Sequence, residues 1–117
     1  MDICFEGIGQ VVATFRTKDE KLEDGMAVTL NDNGEVGLGE EDGKPLCGVT
    51  VSAARGGAVA VQIGGVVKVG CSGKSMKEGW QELACDKNGG VKLAADSTNG
   101  AKFLVLAADE KSVVVKL

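Results

Sequence analysis

The run Ala58-Val59-Ala60-Val61-Gln62-Ile63-Gly64-Gly65-Val66-Val67-Lys68-Val69 decides the fold. Val59, Val61 and Ile63 alternate with Ala58, Ala60 and Gln62, the period of two at which a strand turns successive side chains to opposite faces. Gly64-Gly65 interrupts the run and Val66 begins another; Phe103, Val105 and Ala107 keep the same period further along. Between such runs lie Asn33-Gly34, Asp42-Gly43, Gly56-Gly57, Asn88-Gly89 and Asn99-Gly100. Asn-Gly and Asp-Gly supply the positive φ angles that tight hairpins need. Strands punctuated in this way every eight to twelve residues or so predict an all-β fold: a small barrel, a β-clip-like fold or a sandwich. The Val-rich composition of the runs agrees.

An internal repeat organises these strands. Leu22-Glu23-Asp24-Gly25 matches Met76-Lys77-Glu78-Gly79, and the offset from Gly25 to Gly79 also carries Val49, Val51, Ala53 and Ala54 onto Phe103, Val105, Ala107 and Ala108. It carries Val59, Val61 and Ile63 onto Val113, Val115 and Leu117, and Val12, Ala13 and Phe15 onto Val66, Val67 and Val69. A slip of one residue in the intervening turn aligns Gly34, Val36 and Leu38 with Gly89, Val91 and Leu93. The chain reads as a single β domain, 1–117, of two copies, about 9–62 and 63–117, behind an N-terminal segment 1–8.

One segment carries two signals. Met76, Trp80 and Leu83 stand at helical spacing, which allows at most one short helix near residues 75–86. Read through the repeat, Gly79 falls where Gly25 precedes Met26-Ala27-Val28-Thr29-Leu30, a strand. Strand or a single helical turn is therefore expected, because tertiary context overrides propensity.

Composition excludes several functions. At 117 residues, 44 % hydrophobic and 26 % charged, the chain is sized for one core and is not disordered. It has no His, which removes the commonest general base and the commonest zinc ligand together. No Ser or Cys then has a His to activate it, within one subunit or across identical ones. The net charge is −4, the 13 basic residues are scattered, and only Arg16 and Arg55 are Arg, so no phosphate-tracking surface is expected and no nucleic-acid partner. Met1 to Gln10 hold Asp2 and Glu6 without a basic residue, unlike an export signal. The apolar run Phe103–Ala108 falls far short of the roughly 20 residues a membrane helix requires, so no membrane partner is expected.

Cys4, Cys47, Cys71 and Cys85 form no C-x-x-C pair and read as reduced thiols packed as small hydrophobes. Gly73-Lys74-Ser75 resembles the end of a phosphate loop, but Lys68 stands where its first Gly belongs. The Gly7/Gly9 and Gly37/Gly39 pairs lack a third glycine. Asp86-Lys87-Asn88 could open a calcium loop, yet Gly90 and Ser97 occupy two ligand positions. Glu40-Glu41-Asp42 reads as a solvated hairpin tip, and Lys77 as an exposed lysine without the flanking signature of a carrier lysine. Paired carboxylates stay open, because three dimensions set their separation. No metal site or cofactor is expected.

Three residues are candidates for partner contact. Trp80, the only Trp, is expected in the core or a subunit interface, with ligand stacking behind. Ile3 and Phe5 lie in the opening Met1-Asp2-Ile3-Cys4-Phe5, which has no counterpart in the repeat and reads as a strand to be added to another chain or as a frayed end. Two small Val- and Ala-filled halves are individually marginal, so a shared core or a homo-oligomer is expected.

Glu6-Gly7, Leu22-x-x-Gly25-x-x-Val28, Leu46-Cys47-Gly48-Val49-x-Val51-x-Ala53-Ala54, Gly57-x-Val59-x-Val61-x-x-Gly64-Gly65-Val66-Val67, Gly79-Trp80 and the closing Val113-Val114-Val115-Lys116-Leu117 together resemble a family of small bacteriophage and prophage proteins, the capsid decoration proteins. The likeness spans nearly the whole chain and departs at Phe103-Leu104-Val105, where the family tends to have a Gly-Val-Ala unit. It implies a small β fold, barrel-like or of the β-clip kind, that sits as a homotrimer on a capsid lattice. The partners implied are its own copies and a major capsid protein, and the location is the virion, with the host cytoplasm before assembly. The rivals are a small ligand-binding β module, which needs an exposed aromatic platform, and a nucleotide hydrolase with a carboxylate pair at a subunit interface.

Overall fold

The computed structural model describes residues 10–40, 43–71, 77–94 and 101–117. They form strands only: β1 Val11–Arg16, β2 Ala27–Asp32, β3 Glu35–Gly37, β4 Lys44–Pro45, β5 Gly48–Thr50, β6 Ala58–Gly64, β7 Val66–Gly70, β8 Gly79–Cys85, β9 Val91–Leu93, β10 Ala101–Ala108 and β11 Ser112–Lys116. The all-β expectation holds, and the run Ala58–Ile63 lies within one strand. Of the helix-compatible segment, Gly79–Cys85 is a strand and none of its described residues is helical. Gly79 takes a φ of 104°, closed to a right-handed helix, and from there Leu83 is turned into the core while Trp80 is not.

The first sheet closes into a barrel in the order β1-β3-β2-β5-β6. Its neighbours run antiparallel except at the closure, where Arg16 meets Glu35 in parallel. The second sheet runs β4-β8-β10-β11-β7, with β9 alongside β8. Here β7 pairs with β11, β11 with β10, β10 with β8 and β8 with β9, all antiparallel. A parallel bridge from Cys71 to Val91 brings the end of β7 to β9. Strands β7, β8, β9, β10 and β11 thus stand to one another as β1, β2, β3, β5 and β6 do.

Strand β4 departs from that scheme. It follows the first sheet in the chain and pairs with the second, Lys44 opposite Cys85 and Pro45 opposite Ala84. The Cys85 thiol donates to the Lys44 carbonyl at 3.3 Å. Two backbone bonds continue the seam, Ala27 N–H to the Gly89 carbonyl at 2.7 Å and Gly39 N–H to the Asp86 carbonyl at 3.1 Å. A Cβ at Gly39 would land on the Cys85 carbonyl, so only glycine lets the two backbones approach this closely.

Two apolar clusters fill the molecule. Leu22, Val28, Val36, Val59 and Val61 pack inside the barrel with Phe15, Met26 and Leu38 against them. The larger cluster draws Ala27, Leu46 and Val49 from the first half and Val67, Val69, Leu83, Cys85, Val91, Val105, Val113 and Val115 from the second. Ala27 and Val28 are consecutive, fully buried and in different clusters, so β2 is covered on both faces. Each fully buried Val or Leu stabilises by roughly 1.5–3 kcal/mol. Sharing Ala27, Leu46 and Val49 enlarges the core on which the second half depends.

The joint between the halves is held from one side chain. Gln62, 5 % exposed, donates through Nε2 to the carbonyls of Gly64 at 2.9 Å and Val66 at 3.2 Å. The Leu117 amide donates to the Gly65 carbonyl at 2.8 Å.

Candidate functional site

Strand alternation builds the site. On β10, Val105 goes into the core and Leu104 is turned the other way. Leu104 stands opposite Trp80 on β8 and opposite Lys116 on β11, and Lys116 stands opposite Val66 on β7. One row, Val66-Lys116-Leu104-Trp80, therefore crosses four strands on the outer face of the second sheet. The next row holds Lys102 opposite Glu82, an opposite-charge pair. Lys68 lies two residues beyond Val66 on the same face of β7.

Trp80 is 68 % exposed, so the core half of its expectation is corrected: it belongs to neither cluster. The reason is parity, since Leu83 takes the inward position and Trp80 lies three residues away, on the opposite face. Leu104 is half-buried beside it, and Leu106, the extra residue where the register shifts between Val105 and Ala107, is exposed. The face combines a large indole and two leucines with Lys68, Lys102 and Lys116, all exposed, against the half-buried Glu82. An apolar centre with a charged rim is the composition of a protein-docking surface. Of the other aromatics described, Phe15 and Phe103 pack against the clusters, so no second ring joins Trp80 in a stacking platform.

The other candidates fare differently. Ile3, Phe5, Cys4, Glu41, Asp42, Gly73, Lys74 and Ser75 lie outside the described residues. Glu40 pairs with Lys44 at 3.7 Å across exposed side chains. Asp86 closes its own turn: Oδ1 accepts the amides of Asn88 at 2.8 Å and Gly90 at 2.9 Å. Asp109 does the same between β10 and β11, accepting the amides of Lys111 and Ser112, both at 2.9 Å. Those amide bonds hold its carboxyl below the ordinary carboxylate value. Lys77 is exposed. The exposed Asp32 on β2 and the half-buried Glu35 on β3 are carboxylates brought into register.

The thiols are poorly suited to nucleophilic work. Burial pushes Cys85 up to about 11, and raises Cys47 and Cys71 as well, the last with a smaller push from the Asp109 carboxylate. Among the described residues no three of His, Cys, Asp and Glu gather at metal-binding range. The surface has open clefts. One of about 540 Å³ runs between β2 and β4, lined by Thr29, Leu30, Asn31, Pro45 and Cys47 with Glu40 at its edge.

No protein-family model matches the chain, and no curated protein matches its sequence.

Reading the sequence alone missed Leu104, Leu106 and the lysine rim. Phe103-Leu104-Val105-Leu106 is continuously apolar, so nothing in it marks which residues point outward. The usable signal was the period of two in Phe103, Val105 and Ala107, which groups Val105 with Phe103 and leaves Leu104 on the far face.

Proposed function

We propose that the chain is a structural binding module that coats an ordered protein surface, in the manner of a phage or prophage capsid decoration protein. The observation that carries this reading is Trp80, 68 % exposed on an outer sheet face with Leu104 and Leu106. Exposed indoles in such settings anchor protein interfaces, where Trp is among the residues that contribute most. In this reading the protein works without a catalytic step, as a homo-oligomer, the trimer favoured, bound to a major capsid protein. Its place is the virion, and the host cytoplasm before assembly. Many weak contacts on a lattice add through avidity, which suits a 12.0 kDa chain with one modest patch. The common pairing scheme of the two sheets supports the reading of the chain as two copies of one unit.

The test is co-sedimentation of purified protein with expanded capsids of the phage that encodes it. Wild type pellets with the capsids and Trp80→Ala stays in the supernatant. Wild type that stays in the supernatant refutes the proposal.

A further inference from the structure

A second cleft, of about 490 Å³, opens on the outer face of the barrel, lined by Thr14 on β1, Ala58 and Ala60 on β6, and Ser52, Ala53 and Arg55 on the segment that joins β5 to β6. Val59 and Val61 turn into the barrel core, so the alternating Ala58 and Ala60 turn out and give the cleft a floor of methyl groups. Thr14 stands opposite Ala60, and Arg55 opposite Ala58. The Arg55 backbone is fixed. Its amide donates to the Ala58 carbonyl at 2.8 Å and its carbonyl accepts the Ala58 amide at 3.1 Å, closing a two-residue hairpin on Gly56-Gly57, whose φ angles are 59° and 78°. The Ser52 hydroxyl accepts the Ala60 amide at 3.3 Å, which leaves its own hydrogen to donate. The described residues that line the cleft thus offer a guanidinium and two hydroxyls and no carboxylate. Arg55 is exposed and enters no ion pair among the described residues. Two nearby charges are already engaged: the Glu20 carboxylate accepts the Gly57 amide at 3.1 Å, and Arg16, opposite Ala58 from β1, gives Nη2 to the Asn33 carbonyl. One positive charge lines the cleft.

We propose that this cleft is a small-molecule site for a carboxylate on a short aliphatic stem, separate from the Trp80 face and from capsid docking. The Arg55 guanidinium presents its N–H groups in a planar fork that matches the two oxygens of a carboxylate. The Thr14 and Ser52 hydroxyls donate to the lone pairs that the fork leaves over. The stem lies on the methyl groups of Ala53, Ala58 and Ala60, where a larger side chain would close the space. A single cation balances a single negative charge, which selects a carboxylate over a phosphate dianion. The volume falls in the range of small-molecule sites, about 300–1,000 Å³.

The experiment is an amide NMR titration of the intact protein with butyrate at low salt, with n-butanol and inorganic phosphate as comparison probes. Butyrate is expected to give saturable shifts confined to the amides of Thr14, Ser52, Arg55, Ala58 and Ala60. Butanol lacks the charge and phosphate lacks the stem, so each binds more weakly than butyrate. Arg55→Ala weakens butyrate by about tenfold or more, the loss of a charge-assisted hydrogen bond. Ala60→Leu fills the floor while keeping the guanidinium, and it too removes saturable binding, which a general attraction to an exposed arginine would not do. Lys21→Ala removes an exposed charge outside the lining and binds butyrate as wild type does. The amide spectrum of each variant shows that the fold is kept. Butyrate shifts that never saturate or that spread over the surface lysines overturn the proposal. So does butanol or phosphate that binds as tightly as butyrate, or binding that survives Arg55→Ala or Ala60→Leu unchanged. Capsid co-sedimentation through Trp80 is expected to be the same with and without butyrate, so the two readings stand or fall separately.

Discussion

Thr50 and Met26 hold each other twice. The Thr50 amide donates to the Met26 carbonyl at 2.8 Å, and the Thr50 hydroxyl accepts the Met26 amide at 2.9 Å while donating to the carbonyl of Glu23. Gly25 N–H closes the set on the Thr50 carbonyl at 2.8 Å. One buried residue on β5 thereby satisfies the turn that leads into β2.

Thr50→Val keeps the shape and removes the hydroxyl, leaving the Met26 amide and the Glu23 carbonyl without that partner. The loss expected is about 1–3 kcal/mol, the cost of unsatisfied buried polar groups. A urea titration reads it as a lowered midpoint at unchanged slope.

Gly39→Ala drives a methyl group into the Cys85 carbonyl at the seam. Backbone must move, and the expected cost is about 1–3 kcal/mol, in the range of overpacked cores. Gly70→Ala is the control, since its added Cβ meets nothing closer than the Lys111 carbonyl at 3.8 Å. Thermal melts of the pair should separate, with only the Gly39 variant falling clearly.

Asp109 ties stability to pH. Its folded carboxyl titrates below the ordinary 3.8, because the ionised form accepts the Lys111 and Ser112 amides. The unfolded chain therefore binds the proton first as pH falls, so the contribution is complete above 3.8 and is lost as pH drops through the folded value. The gap in denaturation midpoint between wild type and Asp109→Ala is expected to be widest well above pH 3.8 and to narrow below it. A gap that widens on acidification contradicts this assignment.

Cys85 is predicted to be inert. With its thiol pushed up to about 11 and its hydrogen given to the Lys44 carbonyl, it is protonated at neutral pH and 0 % exposed. Iodoacetamide should leave the Cys85 peptide unmodified in native protein, label Cys47 and Cys71 slowly, and label all three once urea is added. Peptide mass spectrometry distinguishes these cases.

Trp80, 68 % exposed, is predicted to contribute little to folding. At dilutions where the protein is monomeric its emission should be quenched by acrylamide about as readily as that of a free indole. Trp80→Ala should change unfolding free energy by no more than about 0.5 kcal/mol, as for other surface substitutions. A large loss of stability would place the indole in a structural role instead.

Much of the architecture was legible because it is written in local alternation. Val59, Val61 and Ile63 gave β6, whereas the helical spacing of Met76, Trp80 and Leu83 left Gly79–Cys85 open between a strand and a single helical turn. Three features escaped for physical reasons. Lys44-Pro45 is too short, and its proline too poor a strand former, to announce β4; only the carbonyl and amide partners on β8 make it one. β2 was expected as a strand, but its burial on both faces was not, because Ala27-Val28-Thr29 shows no alternation to reveal it. Trp80 was expected in the core or in a subunit interface, and its parity on β8 removes the core alternative by leaving it outside.

The strand that crosses the seam has a consequence for how the protein comes apart. Because β4 leaves its own half to complete β8, and Ala27, Leu46 and Val49 finish the other half's interior, neither half holds a full set of neighbours alone. Cleavage at the Gly64-Gly65 joint would therefore not release two independent miniature proteins. It would yield fragments that remain clasped, unfold in one transition and, when mixed after separation, restore each other's structure.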